Sequence, residues 1–427
     1  MASFQASTTR VSQISEPSNL SALQGDAIPA VIVSAGGLLS LDVARTLSKR
    51  RVDVIGVFTG GPLESIFSPA VRSSRYLHPY FAPAHQLVEH LMALGERLGR
   101  PSVLIPLGDT EMLAISLARE KLAQWYRLRL PPHATIEMLL NKDAFAQEAM
   151  KHGLPVPVSI AVAGVNELEP AAKSINYPCI IKPPWRDERW QELHGTDKVC
   201  LARSPEELLN LGAGVLALCG RCLIQNIVPG PETNLVCTFA FVDDSSDRTS
   251  VVTCRKIRQF PAHFGNTAMA ETASDPEAEE LTMAVCRKLG LVGYVSIEFK
   301  RDPVTGRLLI LEITPGRVNR QIGVTDVAGR SIVMEWYRKL SQLPTEPVPP
   351  LRLGLRWVSL ANDLRAFPNY RRSAEWSLGE WWRSYAKVRR SDFSIQDPLP
   401  ILASFGIMAR RLFRPRSNSN GVGSSLK

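Results

Sequence analysis

One hairpin constrains the fold of this chain more than any other stretch of its 427 residues. Two apolar, β-branched runs flank Asp302-Pro-Val-Thr-Gly306, in which glycine supplies the positive φ of a tight turn. Glu298 lies before the turn and Glu312 after it, and counting from the turn places them nearly opposite each other. Like charges directly across a ladder repel. Either a glutamate lies on a solvated face, or a cation such as Mg²⁺ lies between the two carboxylates.

The composition is that of an ordinary globular protein with an unevenly placed basic charge. Hydrophobic residues make up 45% and charged residues 21% of the chain, and the net charge is +9. The positive charge concentrates near the C-terminus without any zinc-finger, RRM or KH pattern, so nucleic acid is not expected as a partner. Residues 1–27 lack the apolar core of a signal peptide and predict a disordered leader. We therefore expect a cytoplasmic protein.

The cysteines indicate reduced thiols rather than a disulfide framework. There are seven, an odd number in a chain whose start predicts no secretion. Cys219-Gly-Arg-Cys222 has C-x-x-C spacing but lacks the second pair or the histidines of a zinc site. We interpret it as a connection from a helix to a strand.

Residues 28–135 predict a small doubly wound α/β domain. Residues 30–34 and 52–58 have strand composition, and the segment between them has helical spacing, as in a right-handed βαβ unit. The Gly36-Gly37 turn suits either an anion or close packing at the helix start. Asp109 follows a further strand, at the sheet edge where such folds place ligand contacts, or it caps the next helix.

Residues 136–345 have a different pattern, with capped helices and shorter strands that predict an α+β region. Asn141 begins an amphipathic helix that Gly153 closes. Lys182 is embedded in an apolar strand, and because buried lysines are nearly always paired, it needs an anionic partner. The polar stretch from Trp185 to Val199 predicts a mobile loop.

Five motifs, in order along the chain, resemble the ATP-grasp superfamily. The resemblance is strongest to the carboxylate–amine ligase-like branch related to biotin carboxylase, and it covers roughly residues 28 to 340. The motifs are Asn141-Lys142 with Gly153-Leu-Pro-Val-Pro157, Ile180-Ile-Lys-Pro183, Leu223-Ile-Gln-Asn-Ile-Val-Pro-Gly230, Arg255-Lys-Ile-Arg-Gln259, and Ser296-Ile-Glu-Phe299 with Leu311-Glu-Ile-Thr-Pro315. The resemblance implies a two-lobed ATP-grasp domain after the doubly wound domain.

The resemblance also implies the nucleotide contacts. Lysines would meet the ATP phosphates as point charges, residues 185–198 would form the lid, and the hinge would bind adenine through backbone groups. An acidic residue just after the hinge lies where such folds contact the ribose. The residues implied to bind ATP are Lys142, Lys182, Lys198, Gln225, Asn226, Val228 and Glu232.

By the same resemblance, Glu298 and Glu312 would share two Mg²⁺ ions, which would explain why the two carboxylates tolerate each other. The family usually has asparagine two residues after the second glutamate. Thr314 stands there in this chain, so either Asn319 replaces the missing ligand or the metal site is weakened.

Three basic residues are implied to be catalytic. Lys256 and Arg258, two residues apart on one strand, would share a face and meet transferred phosphate or substrate carboxylate, unless that face is only solvated. Arg317, shifted by one position from the family pattern, would stabilise negative charge on the acyl phosphate.

The implied activity is that of an ATP-dependent ligase acting on a small-molecule carboxylate and an amine, with release of ADP and phosphate. The alternative is a degenerate module that binds nucleotide in a regulatory or scaffold role. A biotin-type carboxylase is disfavoured because the chain has no Met-Lys-Met carrier pattern.

Residues 346–414 form a basic extension rich in Trp and Arg, and residues 415–427 predict a disordered tail. The stretch 397–416 is amphipathic and basic. It would either lie peripherally on an anionic membrane or pack on the catalytic body.

Overall fold

The computed structural model describes residues 27–60, 78–185, 190, 193–194, 198–243, 251–344, 347–394 and 398. Nearly all of the predicted leader, all of the tail and most of the predicted lid lie outside these residues, as does the C-terminal stretch from residue 399. Within the described part, the strands form three sheets. Short 3₁₀ turns lie at Ala84–Gln86, Val165–Glu167, Glu232–Asn234 and Tyr385–Lys387.

The first sheet is built from the N-terminal part of the chain. Its strands are β1 Ala30–Ser34, β2 Val54–Phe58, β3 His78–Phe81, β4 Ser102–Pro106 and β5 Tyr126–Arg127, and its helices are α1 Leu38–Ser48, α2 Leu87–Leu98, α3 Asp109–Leu117 and α4 Arg119–Leu122. All pairings are parallel, in the order β3-β2-β1-β4-β5. Helices on the sheet faces bury β1, β2 and β4, whose residues are apolar almost throughout. The predicted doubly wound arrangement is confirmed.

The start of α3 shows that Asp109 is not the N-cap of this helix, which was one of the two roles that the sequence allowed. Gly108 occupies the N-cap position and Asp109 is the first helical residue, with no side-chain cap bond. Asp109 therefore points its carboxylate elsewhere, at the carboxyl edge of the first sheet.

The second sheet is small and antiparallel. Two helices, α5 His133–Leu140 and α6 Lys142–Lys151, precede it and bury Leu139 and Ala149 in a core shared with the third sheet. The second sheet contains β6 Ser159–Val162, β7 Cys179–Lys182, β8 Cys200–Ala202 and β9 Cys222–Asn226, and the helices α7 Leu168–Ser174 and α8 Pro205–Cys219 share its core. The strand order is β6-β9-β7-β8. The predicted helix after Asn141 is confirmed as α6, and the side-chain oxygen of Asn141 caps it by accepting from the N–H groups of Asp143 and Ala144. Cys219 ends α8 and Cys222 begins β9, which confirms the predicted helix-to-strand connection.

The third sheet has seven strands and contains the glutamate hairpin. It is formed by β10 Leu235–Val242, β11 Val251–Phe260, β12 Asn266–Ala273, β13 Gly293–Arg301, β14 Leu308–Pro315, β15 Arg356–Val358 and β16 Val388–Ser391, with helices α9 Pro276–Leu289, α10 Gly323–Val327, α11 Ile332–Ser341, α12 Leu360–Arg372 and α13 Leu378–Ser384. The order is β14-β13-β10-β11-β12-β15-β16, and only β15 with β16 is parallel among these pairings.

The C-terminal extension continues this third sheet instead of forming a separate unit, because β15 pairs directly with β12. Arg390 on β16 donates from Nε to Asp42 Oδ1 at 2.8 Å and forms an ion pair with Asp326. Trp357 on β15 also donates to Asp42, at 3.2 Å. The extension therefore packs on the body up to residue 394, whereas the stretch 397–416, for which the sequence left two alternatives, lies outside the described residues apart from Pro398. Among the helices that the structure describes, none combines the length and apolar character required to cross a bilayer.

Candidate active site

The β13–β14 hairpin aligns its two glutamates as the sequence predicts. Glu298 pairs in register with Glu312, and Gly306 has a φ of 70° in the turn between them. The Glu298 side chain is 25% exposed and Glu312 is exposed, so both carboxylates keep accessible surface. Two like charges are therefore held across one ladder, where they repel unless a cation intervenes.

Lys256 on β11 provides one such cation from the protein itself. Its Nζ lies 2.6 Å from Glu298 Oε2, and the side chain is buried. Burial alone would lower the pKa of Lys256, but the attraction of Glu298, with a smaller contribution from Glu312, raises it above its ordinary value. Lys256 is accordingly a permanent positive charge beside the hairpin.

Lys182, the last residue of β7, has a neutral partner in the structure. Its Nζ donates to Gln225 Oε1 at 2.7 Å, and Gln225 in turn donates from Nε2 to Ser159 Oγ at 2.8 Å. Because the acceptor is an uncharged amide, this hydrogen bond does not neutralise the positive charge of Lys182.

The electrostatic surroundings of Lys182 fit an anionic ligand. Burial, together with repulsion from Lys142 and Lys198, lowers the pKa of Lys182 to about 8, against the attraction of Glu312 and Glu298. An anion among these three lysines would reverse the repulsion and stabilise the charged form. These groups thus suit a polyphosphate bound with a divalent cation. The three ammonium groups would contact the phosphates, and the two carboxylates would bind the cation.

Arg317 lies just after β14 and reaches back to the first sheet. Its guanidinium forms an ion pair with Asp109, with Nη2 at 3.3 Å from Oδ2. Burial would lower the pKa of Arg317, but Asp109, and Glu312 more weakly, raise it. The sequence allowed two roles for Asp109, a ligand contact or a helix cap. In the structure its side chain is 44% exposed and pairs with Arg317, the predicted catalytic arginine.

Asn319 lies near the position where a family asparagine is missing. Its Nδ2 is 3.4 Å from Thr314 Oγ1, and its Oδ1 accepts from the Tyr294 hydroxyl at 3.1 Å. Tyr294 was not among the predicted site residues. Its spacing of two from Ser296 and four from Glu298 on β13 was the signal, because period two places all three on one face.

No group of three or more His, Cys, Asp or Glu side chains suited to a metal ion occurs in the part of the chain that the structure describes. A metal at the hairpin would therefore take its protein oxygens from Glu298 and Glu312, with the Asn319 amide nearby. This set fits a cation such as Mg²⁺, which completes its coordination with water and phosphate oxygens.

Arg258 requires a correction. The expectation that it shares a face with Lys256 is wrong, because a register shift between the two pairs Lys256 with Ala270 but Arg258 with Met269. Neighbouring residues of β12 point to opposite faces, so the two basic side chains do as well. Arg258 is 0% exposed and forms an ion pair with Asp363, which leaves it unable to meet a substrate.

Glu232, which the resemblance implies to be a ribose contact, has partners within the protein. It is buried, and its two carboxylate oxygens accept hydrogen bonds from the His263 backbone N–H and the Tyr370 hydroxyl. Burial raises the pKa of Glu232, although these hydrogen bonds oppose the shift. Both oxygens thus already accept from the protein, and a ribose contact at Glu232 stays a prediction that would use their remaining lone pairs.

The predicted adenine hinge follows β9, which ends at Asn226. The Asn226 N–H donates to Val158 O at 2.9 Å, and its side-chain oxygen accepts from the Asn176 N–H at 3.1 Å. The Asn226 N–H is thus engaged in holding the strand, and backbone recognition of a base would fall to the residues up to Val228, which is buried. Lys198 donates to Asn266 at 2.8 Å, next to β12.

Comparisons with known proteins find a family match over the same region of the chain. A family model described as "Carbamoyl-phosphate synthase L chain, ATP binding domain" matches residues 141–341. The chain is 22% identical over 327 residues to the mitochondrial arginine-specific large chain of carbamoyl phosphate synthase from Schizosaccharomyces pombe, which covers 73% of this chain and 27% of that protein. The chain spans about a quarter of the length of the curated relatives it matches.

Two solved structures show the same fold. N5-carboxyaminoimidazole synthetase from Staphylococcus aureus, complexed with ADP, superposes with a TM-score of 0.58 at 14% identity over 77% of this chain and 81% of that chain. Biotin carboxylase from Campylobacter jejuni superposes with a TM-score of 0.59 at 14% identity over 76% of this chain and 74% of that chain. The family-model match falls on residues 141–341, the region that contains the five motifs on which the predicted resemblance rests.

Proposed function

Because residues 141–341 match the model of an ATP-binding domain, we propose that the protein is an ATP-dependent ligase that joins a carboxylate to an amine. The observation that carries the proposal is the register of Glu298 with Glu312, beside Lys256 and within the electrostatic reach of Lys182. This arrangement provides metal-binding carboxylates and phosphate-binding ammonium groups at one place, as phosphoryl transfer requires.

In the proposed nucleotide site, Lys142, Lys182 and Lys198 contact the phosphates. The support is that repulsion from Lys142 and Lys198 lowers the pKa of Lys182, so an anion among the three would stabilise its charged form. Gln225 orients Lys182 through its 2.7 Å contact. Backbone groups up to Val228 contact the base.

Glu298 and Glu312 would hold Mg²⁺, with Asn319 as a further oxygen ligand. A bound metal ion would neutralise charge on the β- and γ-phosphates. Lys256, held at Glu298, would add a fixed positive charge beside that carboxylate.

The reaction begins when a carboxylate oxygen of the substrate attacks the γ-phosphorus of ATP, which breaks the bond to ADP and gives an acyl phosphate. The amine nitrogen then attacks the carbonyl carbon, the C–O bond to phosphate breaks, and the nitrogen loses a proton. Arg317 would stabilise the negative charge that develops on the carbonyl oxygen, while Asp109 holds its guanidinium in place.

An oxygen-tracing experiment tests this sequence. The purified protein is screened for ADP release with paired carboxylates and amines, and the active carboxylate is then supplied with ¹⁸O. An acyl phosphate predicts that one ¹⁸O appears in the released phosphate. Phosphate without the label would exclude carboxylate activation.

A nucleotide-binding module without turnover remains the second candidate, because Thr314 stands where the family supplies a metal-binding asparagine. This module would bind Mg²⁺ and ADP but release no ADP from ATP with any substrate pair. Calorimetric binding combined with the ADP screen separates the two functions.

Contact with an anionic membrane and a cytoplasmic location remain proposals based on sequence. Residues 397–416 carry the membrane proposal and, apart from Pro398, lie outside the described residues. We expect salt-sensitive co-sedimentation with anionic but not neutral liposomes, because each basic residue near such a surface contributes about 1 kcal/mol. Protein that stays in the supernatant with anionic liposomes at low salt would end this proposal.

A further inference from the structure

The C-terminal extension encloses one residue of the strand that carries Lys256. Arg258 donates from Nε and Nη2 to the two oxygens of Asp363 at 2.8 and 2.9 Å, in a bidentate ion pair. The centre of its guanidinium lies 3.7 Å from the Trp381 ring and 4.6 Å from the Trp376 ring. Ser384 accepts from the same group at 3.0 Å. All four contacts come from α12, α13 and the turn between them.

The register of β11 links this enclosure to the candidate active site. Between Lys256 and Arg258, two steps along β11 correspond to one step along β12, from Ala270 to Met269, which defines a β-bulge. In regular pleating, residues two apart share a face, so Lys256 could not point to Glu298 while Arg258 pointed to Asp363. The bulge allows both contacts. Each contact in turn stabilises the bulge, so loss of either contact makes the bulge less stable.

We propose that the C-terminal extension is a positioning element of the active site, in which Asp363 fixes Arg258, and the bulge so fixed directs Lys256 to Glu298. The inference rests on the proposed function, because it takes Glu298 as a ligand of Mg²⁺. Asp363 and Arg258 act here through Lys256 and are positioning residues, not catalytic ones. Bulges next to active sites commonly redirect a side chain in this way.

The test measures ADP affinity by calorimetry with and without Mg²⁺, on the full chain. The metal-dependent gain in affinity reports on Glu298 and its surroundings, whereas the metal-free affinity reports on the base and the lysines. In Asp363→Asn, which keeps the shape of the side chain, we expect the affinity for ADP with Mg²⁺ to fall roughly tenfold or more, as when an outer-shell partner of a metal site is removed. The affinity for metal-free ADP should stay within about twofold.

Asp392→Asn is the matched control. Asp392 is also buried in the extension, where it accepts from Arg320 Nη2 at 2.7 Å, Ser359 Oγ at 2.8 Å and the Leu360 N–H at 2.9 Å. It anchors the same segment without touching β11. A merely structural role for the extension predicts equal losses in both variants, whereas positioning predicts that Asp392→Asn keeps the metal-dependent gain.

The outcomes separate the inference from the proposed function. If the wild-type protein gains affinity with Mg²⁺ and Asp363→Asn keeps that gain, or both variants lose it equally, the positioning role is overturned. If the wild-type protein shows no gain, the metal site fails and the inference fails with it. Should Asp363→Asn not fold, Arg258→Lys replaces it with the same expectation, because lysine keeps the charge but loses the bidentate fork.

Discussion

The β13–β14 and β11–β12 hairpins belong to one sheet, and both have charged side chains within apolar strands, but they use these charges in opposite ways. In β13–β14, Glu298 and Glu312 face each other and keep accessible surface. In β11–β12, Arg258 is fully enclosed and paired with a carboxylate of the same chain.

The comparison shows how a structural charge differs from a functional one. A charge in an apolar strand needs a partner, since an uncompensated buried charge is costly. Where the fold supplies the opposite charge, as for Arg258, the requirement is met within the protein. Where the fold instead brings like charges together, as at Glu298 with Glu312 or Lys182 with Lys142, a ligand of opposite charge would relieve the repulsion that remains beside the protein's own contacts.

The largest expected effect tests the structural half of this comparison. Asp363→Ala leaves the Arg258 charge buried without its partner, so we expect the free energy of unfolding to fall by about 3–5 kcal/mol. Denaturant titration measures the change. The double variant with Arg258→Met should recover part of the loss, because it removes the unpaired charge. If Asp363→Ala alone lowers the free energy of unfolding by less than about 1 kcal/mol, the pair contributes no more than a surface ion pair does.

Glu312→Gln tests the functional half. We expect ADP formation to fall by a factor on the order of 10²–10³, the scale for removal of one preorganised electrostatic group. The fold should persist because the side chain is exposed. ADP release with the active substrate pair provides the measurement, and Glu169→Gln, an exposed charge on α7, is the matched control. Turnover equal to the wild type would remove Glu312 from the metal site.

Lys182→Met should weaken ATP binding by roughly 1.5–3 kcal/mol, the value of a hydrogen bond to a charged group. The reason is that Gln225, the partner of Lys182 in the structure, is uncharged, so the charge of Lys182 can pair with a phosphate. Calorimetry provides the measurement, with the exposed Lys173→Met as control. An unchanged affinity for ATP would show that Lys182 has a structural role.

The smallest effect is a pH dependence. Because the pKa of Lys182 is lowered to about 8, nucleotide affinity should fall as pH rises through 8, by at most about tenfold per pH unit. Binding above pH 8 must then take up a proton, which calorimetry in buffers of different ionisation enthalpy detects. Lys182→Arg should abolish this dependence, since arginine stays charged. Proton uptake that persists in Lys182→Arg would assign it to another group.

The same lowered pKa has a consequence for stability with the opposite sign. Between pH 8 and the ordinary value of 10.5, the unfolded chain binds more protons at Lys182 than the folded protein does. The contribution of this residue to the free energy of unfolding therefore rises with pH in that window.

Local patterns in the sequence were sufficient to predict the doubly wound sheet and the opposed glutamates. Apolar runs and a five-residue turn determine these features over short distances. The bulge at Lys256 and Arg258 was not predictable, because no glycine or proline marks it and strict alternation was the natural assumption. The pairing of Arg258 with Asp363 and of Arg317 with Asp109 joins residues 105 and 208 positions apart, which single-sequence patterns do not report.

The ion cluster of Arg390 with Asp42 and Asp326 has a consequence for how the chain is made. Asp42 and Arg390 are 348 positions apart, so at ribosomal speeds of 5–20 residues per second roughly 17–70 s separate their synthesis. For most of that interval the nascent chain holds Asp42 alone, because Asp326 is made only 64 residues before Arg390. The ion cluster therefore forms only when synthesis is nearly complete, and a chain that stops before residue 390 keeps the contact of Trp357 with Asp42 but lacks the guanidinium that joins Asp42 to Asp326.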